Sequence, residues 1–304
     1  MIHIACNIDH RYVRYCAVTL ASVFSHHPRN GVTAHIVARE LTDNDRISLQ
    51  TVAGQWGGKL RFYTPDAHML DGFTIRATHN RISLATYYRC FLSEMLPTDI
   101  GRVLYLDCDL LVLSRLDDLW NTPLNGAWVG AADDTGYCES ERYKRLGYPE
   151  SESYFNAGVL LIDLEAWRKN DMSRLCYDYY NTHYDTIVFN DQDVLNGVLH
   201  DKRQAIDVKW NVQDGFFRCK NSLPPGWQEA HACALHDPAI LHFTNRKPWE
   251  YDSQHPLRKL YFKYLDLTPW RGERPWHNPI NIVKRILRLL PFRMGIRKPR
   301  YIQP

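Results

Sequence analysis

The 304-residue sequence has no apolar run near the roughly 18–20 residues of a spanning helix, so no transmembrane helix is expected. Its opening segment, Met1-Ile2-His3-Ile4-Ala5-Cys6-Asn7-Ile8-Asp9, lacks the charged, long apolar and small-residue order of a secretion signal. The mature chain is therefore expected to stay cytosolic. Eight cysteines are present (Cys6, Cys16, Cys90, Cys108, Cys138, Cys176, Cys219 and Cys233) but no C-x-x-C, and a chain long enough to bury a core needs no staples. Reduced thiols are expected rather than a disulfide or zinc framework. No internal repeat or low-complexity linker interrupts the chain. At 45% apolar and 23% charged residues, the composition argues against disorder, collagen and coiled coil.

Net charge is only +3, but it is unevenly spread. From Arg271 to Pro304 nine Lys or Arg stand against one acid, Glu273, giving +8 and leaving 3 − 8 = −5 for the rest. Such asymmetry points to an anionic partner, either nucleic acid or a membrane face.

Residues 2–6 read as a strand, 15–24 as a helix ended by Pro28-Arg29-Asn30-Gly31, and 32–38 as a second strand. Thr42 followed by Asp45 predicts a capped helix to about residue 52, with a third strand at 60–63. This β-α-β-α-β order predicts an α/β fold with a parallel sheet, helices on both faces, and ligands beyond the carboxyl ends of the strands. A helix is expected near 82–95, strands at 102–106 and 157–162, helices at 164–180 and 191–199, and a last strand at 239–243. Pro, Trp and charge become dense after Trp249. The division expected is a catalytic domain over 1–250 and a basic helical region over 251–304.

Four segments carry candidate chemistry. In Val103-Leu104-Tyr105-Leu106-Asp107-Cys108-Asp109-Leu110-Leu111-Val112-Leu113, period two puts Asp107 and Asp109 on one side. Two carboxylates at the end of a buried strand repel unless a cation neutralises them, and they suit Mg²⁺ or Mn²⁺. A solvated turn with two helix-capping acids would account for the same residues. Ile240-Leu241-His242-Phe243-Thr244-Asn245-Arg246-Lys247 places an imidazole at a strand end and then two cations. That imidazole suits Mn²⁺ better than Mg²⁺, and Lys247 could neutralise a phosphate, although for one His among fourteen a hydrogen-bonded strand-end histidine and a solvated basic turn account better for the segment taken alone. Tyr154-Phe155-Asn156-Ala157-Gly158 sets an amide and small residues ahead of a strand, compatible with a close ligand or with a tight turn. Asn190-Asp191-Gln192-Asp193 concentrates polar groups at a helix start, where acids also complement the helix dipole.

Together, in order and spacing from Ile2 to about Trp249, these segments resemble glycosyltransferase family 8, most closely its bacterial lipopolysaccharide and lipooligosaccharide galactosyl- and glucosyltransferases. The resemblance implies a GT-A fold, a nucleotide-diphospho-sugar transferase architecture with a mostly parallel central sheet, here followed by the basic helical tail. It also implies a UDP-hexose donor, Mn²⁺ (with Mg²⁺ a second choice) and retention of anomeric configuration. By the same resemblance, Asp9 and Tyr12 in Asp9-His10-Arg11-Tyr12 hold the uracil, the ring stacking on the base. Arg89, Asn156, Ala157 and, of the adjacent acids Asp133 and Asp134, the latter contact the donor sugar. Asp107, Asp109 and His242 hold the metal, Lys247 the diphosphate, and Asp191 and Gln192 sit beside the anomeric carbon as the catalytic pair. Between His242 and Lys247 this chain is one residue shorter than the family pattern and lacks its glycine, so Arg246 offers a second cation for the phosphates.

Gln192 is a poor nucleophile, so the expectation is attack from the leaving-group face, with UDP taking the acceptor proton and Asp191 orienting the sugar. The acceptor implied is the saccharide of a lipooligosaccharide core. In the tail, Val283, Ile286, Leu287 and Leu290 form one helical stripe with Lys284, Arg285 and Arg288 off it. This predicts peripheral association with an anionic inner-membrane surface on its cytoplasmic face, and no nucleic acid, since an electrostatic arm needs no apolar stripe. The competing readings are a helix packed on the core, another glycan or protein acceptor, a nucleic-acid-binding relative without activity, and nucleotidyl transfer. The last lacks a glycine-rich phosphate loop near the first strand.

Overall fold

A computed structural model describes residues 1–76, 83–135, 142–149, 151–219 and 227–302. Its centre is a seven-stranded sheet of β1 (Ile2–Ile8), β2 (Val32–Ala38), β3 (Lys59–Tyr63), β4 (Arg102–Leu106), β6 (Val129–Asp133), β7 (Phe155–Asp163) and β8 (Arg203–Ala205), in the order β3-β2-β1-β4-β7-β6-β8. A second sheet joins β5 (Leu110–Val112), β10 (Ile240–His242) and β9 (Val212–Gln213). β1 runs parallel to β2 from Ile2 opposite Val32 to Ile8 opposite Ala38, and parallel also to β4.

Period-two alternation sorts β1 between two cores. Ile2, Ile4, Cys6 and Ile8 pack with Cys16, Leu20 and Leu49, from the helices Val13–Ser25 and Asp43–Gln55. Ala5 turns to the opposite face, among Tyr87, Tyr105, Leu160, Trp167 and Leu195. The predicted cap is present: Thr42 Oγ1 accepts from the Asp45 amide at 3.2 Å and Asp45 Oδ2 accepts from the Thr42 amide at 2.9 Å. Such a cap contributes about 1 kcal/mol.

The large sheet is mostly parallel, as expected, with β7 the strand that runs antiparallel to its neighbours β4 and β6. Two expectations are corrected. The helix expected over 164–180 is two, Leu164–Lys169 and Met172–Thr182, because Asp171 adopts a left-handed backbone (φ 51°) and caps the second with its carboxylate. The segment expected as one helix over 82–95 is a 3₁₀ helix at Leu84–Phe91 and one α-turn at Leu92–Met95; Ile82, like Cys138, lies outside the described residues. The seven described cysteines are free thiols, with those of Cys6, Cys16 and Cys108 gathered within 4.8 Å of one another.

The tail is tied to the body. Arg14 pairs with Glu273 at 2.6 Å, Trp276 packs on the Phe262 ring, and Tyr301 is buried with its hydroxyl on Asp214 at 2.8 Å. In the helix Pro279–Arg293, Arg288 pairs with the buried Asp252 at 2.8 Å, Arg285 donates to the Tyr251 carbonyl, and Leu289 is buried. The opposite face, Val283, Ile286, Leu287 and Leu290, is exposed. Among the described residues no helix is long and apolar enough to cross a membrane.

Candidate active site

The apolar run around the two acids is not one strand. The chain leaves the large sheet after Leu106 and enters the small one at Leu110, so Asp107-Cys108-Asp109 forms the crossing between sheets. β10 pairs with β5, His242 opposite Leu110, which brings the imidazole to the same crossing. One ligand atom from each of Asp107, Asp109 and His242 lies within 4.8 Å of the others. His242 Nε2 is 3.0 Å from Asp109 Oδ1 and 3.7 Å from Asp107 Oδ2. Its Nδ1 is held by Asn211 Oδ1 at 2.9 Å, which fixes the ring and leaves Nε2 to face the carboxylates.

Gly158 keeps the cradle open. A Cβ there would stand 2.2 Å from His242 Cε1 and 2.7 Å from Asp107 Oδ2, a clash that no side chain can accept. Two carboxylates and one oriented imidazole, with a glycine clearing the space beside them, form a donor set that fits a divalent metal ion.

Fixed cations balance the acids. Arg89 Nη2 donates to Asp107 Oδ1 at 2.8 Å, its Nε pairs with Asp191 Oδ2 at 3.0 Å, and Nη1 reaches the Ala157 carbonyl at 2.7 Å. Burial works against the Arg89 charge, yet the two carboxylates hold it more firmly protonated than a free arginine. Lys247 Nζ donates to Asp109 Oδ2 and, at 2.6 Å, to the Phe243 carbonyl. Burial would raise the Asp109 carboxyl, but Lys247 and His242 overcome it and hold it well below the usual range. For Asp191 the balance is reversed: burial pushes it up to about 6, against the pull of Arg89 and the Thr86 hydroxyl.

A second set of side chains lies alongside. Gln192 Oε1 accepts from the Ala157 amide at 3.0 Å and from Asn156 Nδ2 at 3.2 Å, and Gln192 Nε2 donates to Asp134 Oδ2 at 3.0 Å. Asn156 Nδ2 also donates to Asp134 Oδ2, at 3.0 Å, while Asn156 Oδ1 accepts from Asn211 at 2.9 Å. Asn211 thus connects this set to His242. Of the two adjacent acids, Asp134 faces Gln192, whereas Asp133 pairs with Arg203 at 2.5 Å. Arg246 is directed away from the acids, to Glu250 at 3.0 Å and Asp252 at 3.3 Å.

Asp9 and Tyr12 lie where β1 ends, on the 3₁₀ turn His10–Tyr12. Burial tends to raise the Asp9 carboxyl, but hydrogen bonds from Arg11 and Ser83 bring it below its usual value. Burial and the nearby Asp109 carboxylate push the Tyr12 phenol up. Sequence reasoning missed Asn211, Thr86 and Tyr105, whose hydroxyl donates to Asp107 at 2.9 Å. Tyr105 could have been found from its period-two relation to Asp107, but Asn211 carries no pattern that singles it out.

The model of glycosyl transferase family 8 matches residues 3–253. The chain is 28% identical over 277 residues to general stress protein A of Bacillus subtilis (strain 168), covering 89% of this chain and 95% of that one. It is 26% identical over 276 residues to the lipopolysaccharide 1,3-galactosyltransferase of Salmonella typhimurium (strain LT2), covering 88% and 79%. Among solved structures it is similar to the galactosyltransferase LgtC in complex with donor and acceptor sugar analogues, with a TM-score of 0.80 at 27% identity over 89% of this chain and 99% of that one. A family match across most of the chain, joined to an overall architecture shared over 89% of it, assigns this protein to glycosyl transferase family 8: it is a glycosyltransferase with the GT-A fold.

Proposed function

We propose that the protein transfers galactose or glucose from a UDP-sugar to the saccharide of a lipopolysaccharide or lipooligosaccharide core, with Mn²⁺ and with retention of configuration. The observation that carries the reading is the Asp107, Asp109, His242 cluster lying beside the Gln192, Asn156, Asp134 set. The lipopolysaccharide galactosyltransferase relative supports the acceptor class. In this reading Asp9 and Tyr12 receive the base, and Arg89, Asp134, Asn156 and Ala157 position the sugar. Asp107, Asp109 and His242 hold the ion, which when bound supplies Lewis-acid stabilisation of the diphosphate. Lys247 adds a cation for the charge that develops on the departing UDP. Gln192 places its amide dipole beside the sugar, and Asp191, fixed by Arg89 and Thr86, orients the ring. Incubation with a panel of UDP-sugars and Mn²⁺, reading UDP release with and without a lipooligosaccharide acceptor, tests the reading. No release from any UDP-hexose would overturn it.

His242→Ala should weaken Mn²⁺ binding by about tenfold or more and change Mg²⁺ little, since only the former favours imidazole. Competition between the two ions, followed by Mn²⁺ paramagnetic resonance, reads this directly. Equal losses for both ions would remove His242 from the ligand set.

The raised Asp191 carboxyl gives a pH dependence with a definite sign. It is ionised above about 6 and neutral below, so turnover at saturating metal should fall as pH drops through about 6. Asp191→Asn should flatten that acid limb at a lower overall rate. An unchanged limb in the variant would assign it to another group.

The exposed stripe of the tail supports peripheral attachment to the anionic cytoplasmic face of the inner membrane. Truncation after Trp270 would strip Trp276, Leu289 and Tyr301 from the body, so substitutions on the exposed face are the cleaner test. Combining Ile286→Ser, Leu287→Ser and Leu290→Ser should abolish sedimentation with anionic vesicles and leave the melting temperature unchanged. Undiminished sedimentation would refute attachment through the stripe.

A further inference from the structure

Between the tail and the segment following Lys247 lies a cavity of about 250 Å³, lined by Arg246, Arg288, Arg297 and Arg300 with Asp252 and Gln254 among its walls. Asp252 is the single lining carboxylate, is itself buried, and is shared: Arg288 pairs with it at 2.8 Å and Arg246 at 3.3 Å. Arg246 also has Glu250 at 3.0 Å. Arg297 and Arg300 form no ion pair among the described residues. The Arg300 guanidinium lies 5.4 Å from the centre of the Phe292 ring. Four guanidiniums around one small space repel one another, and the one acid in its wall leaves an excess of positive charge. Planar N–H forks from several directions match the oxygens of a phosphate, and the Gln254 amide adds a neutral donor. The volume is below the roughly 300–1,000 Å³ of drug-sized ligand sites and suits a compact anionic group rather than a nucleic-acid strand.

We infer that this cavity binds a phosphomonoester group on a ligand other than the sugar donor. Lys247 is engaged by Asp109 of the proposed metal-binding acids, whereas the neighbouring Arg246 pairs with Glu250 and Asp252 and lines the cavity. The exposed Leu287, Leu290, Met294 and Ile296 occur in the same stretch of chain as Arg288 and Arg297, so an apolar body attached to the phosphate would find surface beside it. The phosphate can come from a soluble phosphorylated saccharide or from a lipid headgroup, and the two sources are separable.

The test uses the full chain and two probes: glycerol 3-phosphate by titration calorimetry, and phosphatidylcholine vesicles with or without phosphatidic acid by sedimentation. The wild type should bind at least one phosphomonoester probe. A double Arg297→Gln, Arg300→Gln variant should bind it at least about tenfold more weakly, as expected when charge-assisted bonds are removed. A double Lys59→Gln, Lys169→Gln variant, which loses the same charge outside both the cavity and the basic tail, should bind as the wild type does. Binding of glycerol 3-phosphate identifies a soluble ligand, and retention only on phosphatidic acid vesicles identifies a headgroup. Equal weakening in both double variants, or no binding of either probe, overturns the inference. Should the double arginine variant melt early, Arg297→Gln alone decides by the same comparison. Neither probe is a sugar nucleotide and neither readout is turnover, so this result stands apart from the proposed glycosyl transfer.

Discussion

Asp107→Ala and Asp109→Ala should each lower Mn²⁺-dependent UDP release by about 10³-fold or more, the scale expected when the group stabilising a leaving diphosphate is lost. Both acids stand at the crossing between sheets, and only there among the described residues do two carboxylates and an imidazole approach within 4.8 Å. The two variants should differ in stability. Asp107 accepts from Arg89 and from Tyr105, so its removal leaves the buried Arg89 with Asp191 as its remaining carboxylate. Breaking a fully buried pair costs about 3–5 kcal/mol, and here less, because Asp107 is about a quarter exposed. Asp107→Asn keeps an acceptor for both donors and should melt closer to the wild type while remaining inactive. Mn²⁺ titration separates the lost metal from a damaged fold. Full activity of either alanine variant in excess EDTA would refute the metal assignment.

The first half of the sheet is legible in the sequence because its strands are short, apolar and separated by capped helices. Residues 32–38 and 102–106 form strands at the boundaries that their patterns indicate, and Thr42 with Asp45 marks a helix start. The direction of β7 is not legible. A strand buried on both faces is apolar throughout, whichever way it runs, and Phe155–Asp163 offers no alternation from which to read its partner. The restart at Asp171 is hidden for a similar reason, since aspartate tolerates a left-handed backbone without the glycine that would announce it.

The site divides along the same line. Asp107, Asp109 and His242 stand out as polar residues in apolar runs, and the fold brings them together through the pairing of β5 with β10. Asn211 orients His242 and holds Asn156, but it lies in a short 3₁₀ turn where an asparagine is unremarkable. Its role depends on contacts 31 and 55 residues away in the chain. The inward turn of Arg285 and Arg288 was equally hidden. A helical projection places them off the apolar stripe, but only the buried Asp252 and the Tyr251 carbonyl show that they face the body.

Gln192→Ala should lower kcat by about 10²-fold or more with the donor affinity little changed, the pattern of an interaction that strengthens only as the transition state forms. The Gln192 amide is engaged at both ends, by Ala157 and Asn156 at its oxygen and by Asp134 at its nitrogen. Its dipole is therefore fixed before the sugar arrives and needs no reorganisation as charge develops. The substitution also leaves the Ala157 amide without that partner, at a cost of about 1–3 kcal/mol if it finds no other, while Asp134 keeps Asn156 and Arg142. A fall in melting temperature is thus expected and does not by itself explain the lost turnover. The discriminating measurement is kcat against donor KM at a temperature well below the melt: a merely structural role would weaken donor binding as much as it slows the reaction. Front-face attack predicts no covalent intermediate in this variant, because the neighbouring Asp191 is held by Arg89 and Thr86. A glycosyl adduct recovered on Asp191 by mass spectrometry would establish double displacement and make that carboxylate the nucleophile.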